Sequence, residues 1–242
     1  MTHTTTALLD EVLDAHGGLA VWRRVRDLHG RIDSSGVLFE TKGRAPNQPI
    51  REFTVAMREV AAQVRVIGEP LRVNFTAERT TLVSDDGSVL AEQTQIRDGF
   101  AGHELSTPWN PLQGAYFSGY ALWNYFNLPF LLTLPGVRLT DIEPVEVDGQ
   151  TLVGIGAELP DTLPTHSRSQ RFYFGPDRLL RRHDYRVDIA GSFPINQYVS
   201  DYVTVGGLAM PTTRRAYLAE DHEQVPRGAL MVALNFSELG WS

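Results

Sequence analysis

The chain has 242 residues, 42% of them hydrophobic and 21% charged, enough apolar material for a sizeable core in one large β-rich domain spanning 1–242. Its formal charge is −7 and no Lys/Arg cluster stands apart from acidic neighbours, which argues against nucleic acid and against an anionic membrane surface as partners. Cysteine is absent, so disulfides, thiolate metal sites and a cysteine nucleophile are excluded.

The N-terminus reads MTHTTTALLDEVLDAHGG, with no basic region leading into a long apolar run. The longest apolar segment, Leu128–Leu134, is broken by Pro129 and Thr133 and falls far short of the roughly 20 residues that span a bilayer. These features predict a cytoplasmic protein without stable membrane insertion. Leu8, Leu9, Val12 and Leu13 fall at helical spacing, which predicts a helix over 7–16 with Thr6 as its cap and Gly17–Gly18 as its stop. A second short helix, 19–25, carries Trp22.

From Asp27 the pattern alternates with a period of two. Strands are predicted at 27–34, 36–42, 51–57, 60–67, 70–77, 79–84, 89–94, 138–147, 151–159, 169–175, 178–189, 195–204, 210–218 and 229–236. Turn sequences such as "DDGS", "VDGQ", "GPDR" and "VGG" separate them. Short connections favour antiparallel neighbours. No strand alternates regularly with a long helix, so Rossmann and TIM architectures are excluded.

One segment, 106–136, interrupts the strands with STPWNPLQGAYFSGYALWNYFNLPFLLTLPG. Here a helix is predicted over 114–127, opened by Gly114 and ended by Pro129. Tyr116, Tyr120, Trp123 and Asn127 share one face, Phe117, Ala121, Asn124 and Leu128 the adjacent one. Two readings fit so aromatic a helix: a core element plugging the sheet, or the wall of a cavity with Tyr116, Tyr120, Trp123 and Phe126 touching a ligand. The expected fold is mainly β with α: a strongly curved antiparallel sheet, or half-open barrel, with helices covering its concave face.

The stretch "LLDEVLDAHGGLAVWRRVRDLHGRID", followed by antiparallel strands, resembles the start of bacterial lipoprotein-carrier domains of the LolA/LolB type. "PTHSRSQRFYFGPDRLLRRHDYRVDI" likewise resembles uncharacterised bacterial proteins with the same N-terminal pattern. The resemblance implies a half-barrel with an apolar cavity.

Polar candidates come from the strand "LLRRHDYRVDI", 179–189. Alternation puts Leu179, Arg181, His183, Tyr185 and Val187 on one face and Arg182, Asp184, Arg186 and Asp188 on the other. The second set reads as a solvated charge ladder. His183 and Tyr185 therefore face the cavity, with Arg181 near its mouth, and His183 forms no pair with Asp184. On the preceding strand Phe172 and Phe174 face inward, which brings Gln170 and His166 to the rim and Gln170 beside His183. For the strand 195–204 the pattern leaves open whether Tyr198 or Asp201 points inward. Arg214 and Arg215 take opposite faces.

There is no Gly-rich phosphate loop, no GxSxG and no HxH or HExxH spacing, so neither a cofactor nor a metal is expected. The expected partner is a bulky, mostly apolar small molecule. Two uses of the cavity follow. One is a cofactor-independent cyclase, isomerase or hydrolase of secondary metabolism, with His183, Tyr185 and His166 moving protons because an imidazole titrates near neutral pH. The other is a non-catalytic carrier or sensor.

Overall fold

In the computed structural model, which describes residues 5–223 and 225–241, the chain forms an unclosed sheet of thirteen strands. Met1–Thr4, part of the stretch read above for a leader, lie outside the described residues. Two helices precede the sheet, α1 (Thr5–Ala15) and α2 (Leu19–Trp22). Thr6 lies within α1 rather than capping it. Gly17 and Gly18 take positive φ and end it.

The first half of the sheet is β1 (Asp27–Ser35), β2 (Arg51–Ala56), β3 (Ala61–Val66), β4 (Leu71–Thr76), β5 (Arg79–Ser84) and β6 (Val89–Thr94). The second half is β7 (Arg138–Val147), β8 (Gln150–Glu158), β9 (Ser169–Phe174), β10 (Leu180–Val187), β11 (Phe193–Val205), β12 (Leu208–Leu218) and β13 (Leu230–Trp241). Each half is an antiparallel meander, and β1 pairs with β13 to join them, so the order runs β6-β5-β4-β3-β2-β1-β13-β12-β11-β10-β9-β8-β7. Local turn chemistry sets much of this. Asp148–Gly149 and Gly206–Gly207 all take positive φ between directly paired strand ends, which is the two-residue hairpin turn whose twist matches the sheet.

The edges β6 and β7 stay apart, and the chain crosses from one to the other over the concave face. That crossing carries α4 (Pro111–Asn127), which packs over β2–β6. The helix starts one turn earlier than Gly114. Asn110 accepts from the Gln113 N–H, the Gln113 side chain accepts from the Asn110 N–H, and Pro111 occupies the first helical position. It ends at Asn127, before Pro129, as expected. At Gly119 the helix approaches so closely that a Cβ there would lie 2.3 Å from Phe75 Cβ.

One predicted strand is absent. Residues 36–42 hold a short helix, α3 (Val37–Thr41). Gly36 has φ 133, and a Cβ there would come within 2.3 Å of the Met231 carbonyl oxygen, so the chain leaves the sheet at this point. The turn places Leu38 and Phe39 over the concave face beside α4.

Candidate functional site

Two polar and apolar features share the concave side. The first is a buried hydrogen-bonded cluster beneath α4. His183 and Tyr185 on β10 point inward, as alternation predicts, and both are buried. His183 Nε2 lies 2.6 Å from Gln170 Oε1. The Gln170 amide nitrogen donates to Thr165 Oγ1 at 2.6 Å and to the Ser167 carbonyl at 2.7 Å. Its oxygen therefore accepts, and His183 carries its proton on Nε2. Nδ1 has no partner among the described residues. Phe172 stacks on the His183 ring at 4.6 Å.

His166 sits deeper than the rim expected for it. Asn124 Nδ2 donates to the Pro164 carbonyl and Arg97 Nη1 to the Thr165 carbonyl, and these two bonds draw the 159–168 loop into the core. The His166 ring stacks on Tyr185 at 4.2 Å. Its nitrogens lie 3.2 Å from Tyr120 Oη and 3.0 Å from Tyr125 Oη. A neutral imidazole satisfies both, accepting from one hydroxyl and donating to the other. Gln197 Nε2 donates to Tyr125 Oη and Tyr185 Oη. The cluster ends at Arg214, whose Nη1 donates to Gln197 Oε1 at 2.8 Å and Nη2 to the Tyr125 carbonyl at 2.9 Å.

Burial governs the electrostatics. It lowers His166 to about 3, assisted by Arg97 and Arg214. It holds His183 well below its ordinary range, assisted by His166 and Arg214. It raises the Tyr120 and Tyr185 hydroxyls well above theirs. Both effects disfavour the titration near neutral pH expected of His183, because an imidazolium here would be desolvated beside a guanidinium. Arg214 is a buried cation without a carboxylate partner among the described residues, held by two hydrogen bonds and by the face of Tyr125 at 4.3 Å.

The second feature is an apolar crevice between α3, α4 and the inner faces of β1, β2, β3 and β10–β13. Counting the part open to solvent it measures about 610 Å³, and little of it is wide enough for water, so its shape is a narrow slot. Phe117, Ser118, Ala121, Leu122 and Tyr125 form the α4 side, which is one helical face. Ile32, Val187, Ile195, Ala216, Met231 and Leu234 form the sheet side.

The residues read from the sequence divide between these places. Tyr185 lines the slot. Tyr116, Tyr120, Trp123 and Phe126 do not. They occupy the other face of α4 as core, with Tyr116 against Phe75, Phe126 stacked on Phe53, and Trp123 Nε1 donating to the Glu59 carbonyl. Gln170, Phe172, His166 and His183 are brought together, as packed core. Arg181 and Tyr198 lie elsewhere. A bulge between Leu180 and Arg182 turns Leu180 inward and Arg181 out to Asp177. On β11 Gln197 faces inward, which leaves Tyr198 outside against Tyr217 and Arg182. Arg182 and Asp184 pair on that same outer face at 2.7 Å. Helix α4 occupies part of the half-barrel and leaves the slot beside it. Among the described residues no three His, Asp or Glu side chains group to hold a metal ion, and no helix is long and apolar enough to cross a membrane.

The unclosed antiparallel half-barrel with a helix-covered concave face is LolA-like, by its similarity to solved structures. The chain is similar to a LolA superfamily protein from Nitrosomonas europaea at 8% identity and TM-score 0.55, over 98% of this chain and 93% of that one. It is similar to a DUF1329 family protein from Desulfovibrio piger at 12% identity and TM-score 0.54, over 100% and 94%. A putative outer membrane lipoprotein-sorting protein domain from Vibrio parahaemolyticus aligns at 9% identity and TM-score 0.48, over 97% and 91%. No family model and no curated protein matches the chain. The cytoplasmic location expected from the N-terminal residues does not stand: the fold is similar to that of a LolA superfamily protein, and the lack of a leader-like pattern in these residues gives no ground for that location.

Proposed function

We propose that the half-barrel is a non-catalytic carrier that takes an apolar chain into the slot between α4 and the inner sheet. The observation that supports this reading is the slot itself, walled almost throughout by apolar side chains. In the polar cluster beneath it, burial disfavours the imidazolium form of His166 and His183 and the phenolate form of Tyr185. That weighs against the cyclase, isomerase or hydrolase use of the same cavity. An environment-sensitive naphthylamine dye tests it. The wild-type protein is expected to bind the dye with a fluorescence rise, and n-decanol to displace it. Ser118→Phe, at the half-buried entry to the slot, is expected to weaken binding about tenfold with an unchanged near-ultraviolet circular dichroism spectrum. Absence of dye binding, or equal binding by the folded variant, overturns the reading.

A further inference from the structure

Three cationic side chains, Lys42, Arg44 and Arg51, line a small hollow beside the slot, and Arg51 lines the slot as well. Lys42 Nζ donates to the carbonyls of Glu104, Leu105 and Thr107 at 3.0, 2.8 and 3.3 Å and lies 4.6 Å from the Trp109 ring. All three of its protons are used, and it ties the α3 end to the 104–109 loop. Arg44 and Arg51 are different. Neither forms an ion pair with a carboxylate among the described residues. Arg51 donates to the Ser34 hydroxyl, while its Nε is buried without a partner. Arg44 lies flat on the first turn of α4, where a Cβ at Gly114 would meet its Nη2 at 2.9 Å. Glycine at 114 is what lets a guanidinium rest there. The N-terminal end of α4 adds its own partial positive charge at this place.

Arg51 is also the point where separate hollows meet. It lines the apolar slot and a wider outer chamber, which is bounded by Arg44, Glu69, Leu71, Arg72, Val73 and Gly114. Ser118 lines both as well. Burial and the neighbouring Arg44 lower the Arg51 guanidinium to about 10 against the opposing pull of Asp33, which leaves it charged at neutral pH. Two adjacent guanidiniums repel one another, which Asp33 offsets only in part at Arg51; an anion between them would relieve the remainder, and guanidinium forks match carboxylate and phosphate oxygens. Behind them the slot is apolar.

We infer that the ligand is an anionic amphiphile, with a carboxylate or phosphate head held between Arg44 and Arg51 and an alkyl chain running past Ser118 into the slot. This rests on the carrier reading above and specifies its ligand. The carbonyl-caged Lys42 fixes the wall of the mouth and takes no part in holding the head.

Calorimetric titration with decanoate, decyl phosphate, n-decanol and decyltrimethylammonium, each below its micelle concentration, tests the inference, with acetate and inorganic phosphate as heads alone. Hydrogen bonds to a charged group predict decanoate and decyl phosphate binding about tenfold more tightly than n-decanol. In Arg44→Gln/Arg51→Gln that ratio should fall to about one. If Arg51→Gln does not fold, Arg44→Gln alone, at an exposed position, should lower the ratio by about threefold or more. A wild-type ratio near one, a preference for the cationic amphiphile, or a ratio indifferent to the variants overturns the anionic head while leaving the carrier standing. Acetate or phosphate binding as tightly as the amphiphiles overturns it in favour of a free anion. Absence of binding by every chain-bearing probe removes the carrier reading, and the inference with it.

Discussion

Lowering the pH from about 7.5 to 5 should destabilise this protein through buried histidines, well before its carboxylates titrate. His166 is lowered from 6.5 to about 3 by burial and by Arg97 and Arg214. His16 is lowered from 6.5 to about 4, mainly by burial, although its Nδ1 lies 2.8 Å from the Val12 carbonyl. His183 is lowered in the same direction, by burial first. In each case the unfolded chain takes up a proton at a pH where the folded chain does not, so stability is complete above 6.5 and falls as the pH drops toward the folded value. At pH 5 each such histidine costs about 2 kcal/mol relative to pH 7.5. His166 and His16 together give about 4 kcal/mol, to which His183 adds, a large part of the 5–15 kcal/mol typical of a domain (roughly, as order of magnitude). The exposed carboxyls of Asp86 and Asp201 are lowered by hydrogen bonds, from Ser84 and Thr213 first, and their contribution is lost only below about pH 4. Urea unfolding at half-unit steps of pH measures the slope, expected to correspond to roughly two protons or more near pH 5.5. His166→Gln, whose amide does not titrate, should be less stable at pH 7.5 and should lose about one proton of that slope. A wild-type stability that changes by less than about 1 kcal/mol across the window, or a slope unchanged in His166→Gln, refutes the placement of these imidazoles as buried and neutral.

Two further expectations concern α4. Gly119→Ala raises helix propensity by about 1 kcal/mol, but its Cβ would overlap Phe75 Cβ and Cγ at 2.3 and 2.4 Å; these atoms sit close to the β4 backbone, so net destabilisation of about 1–3 kcal/mol is expected by chemical denaturation, and a more stable variant would mean that helix and sheet are further apart. Trp123→Ala should cost about 3–5 kcal/mol of stability, because the indole is buried and donates to the Glu59 carbonyl at 2.6 Å, while dye binding by the remaining folded protein changes little; a selective loss of binding would place Trp123 in the ligand site after all.

Much of the sheet was legible from local chemistry. Period-two alternation and turn residues act over a few neighbours, so the meander, the inward facing of His183, Tyr185, Phe172 and Phe174, and the approach of Gln170 to His183 follow from residues close in sequence or joined by one hairpin. The capping box at Asn110–Gln113 was equally local, and would have started α4 at Pro111. Other features depend on what covers a residue. Only contact with the Met231 carbonyl decides that Gly36 diverts 37–41 into a helix rather than a strand. The bulge that turns Arg181 outward arises in pairing with β9, and alternation along β10 does not contain it. Both faces of α4 are apolar, so its sequence did not say which meets the sheet; Gly119 against Phe75 decides it, leaving Phe117, Ala121 and Tyr125 to the slot. The adjacent arginines at 214 and 215 announce one inward cation, but its counterless burial against Tyr125 and Gln197, like the neutrality of His166, is set by desolvation among side chains far apart in sequence.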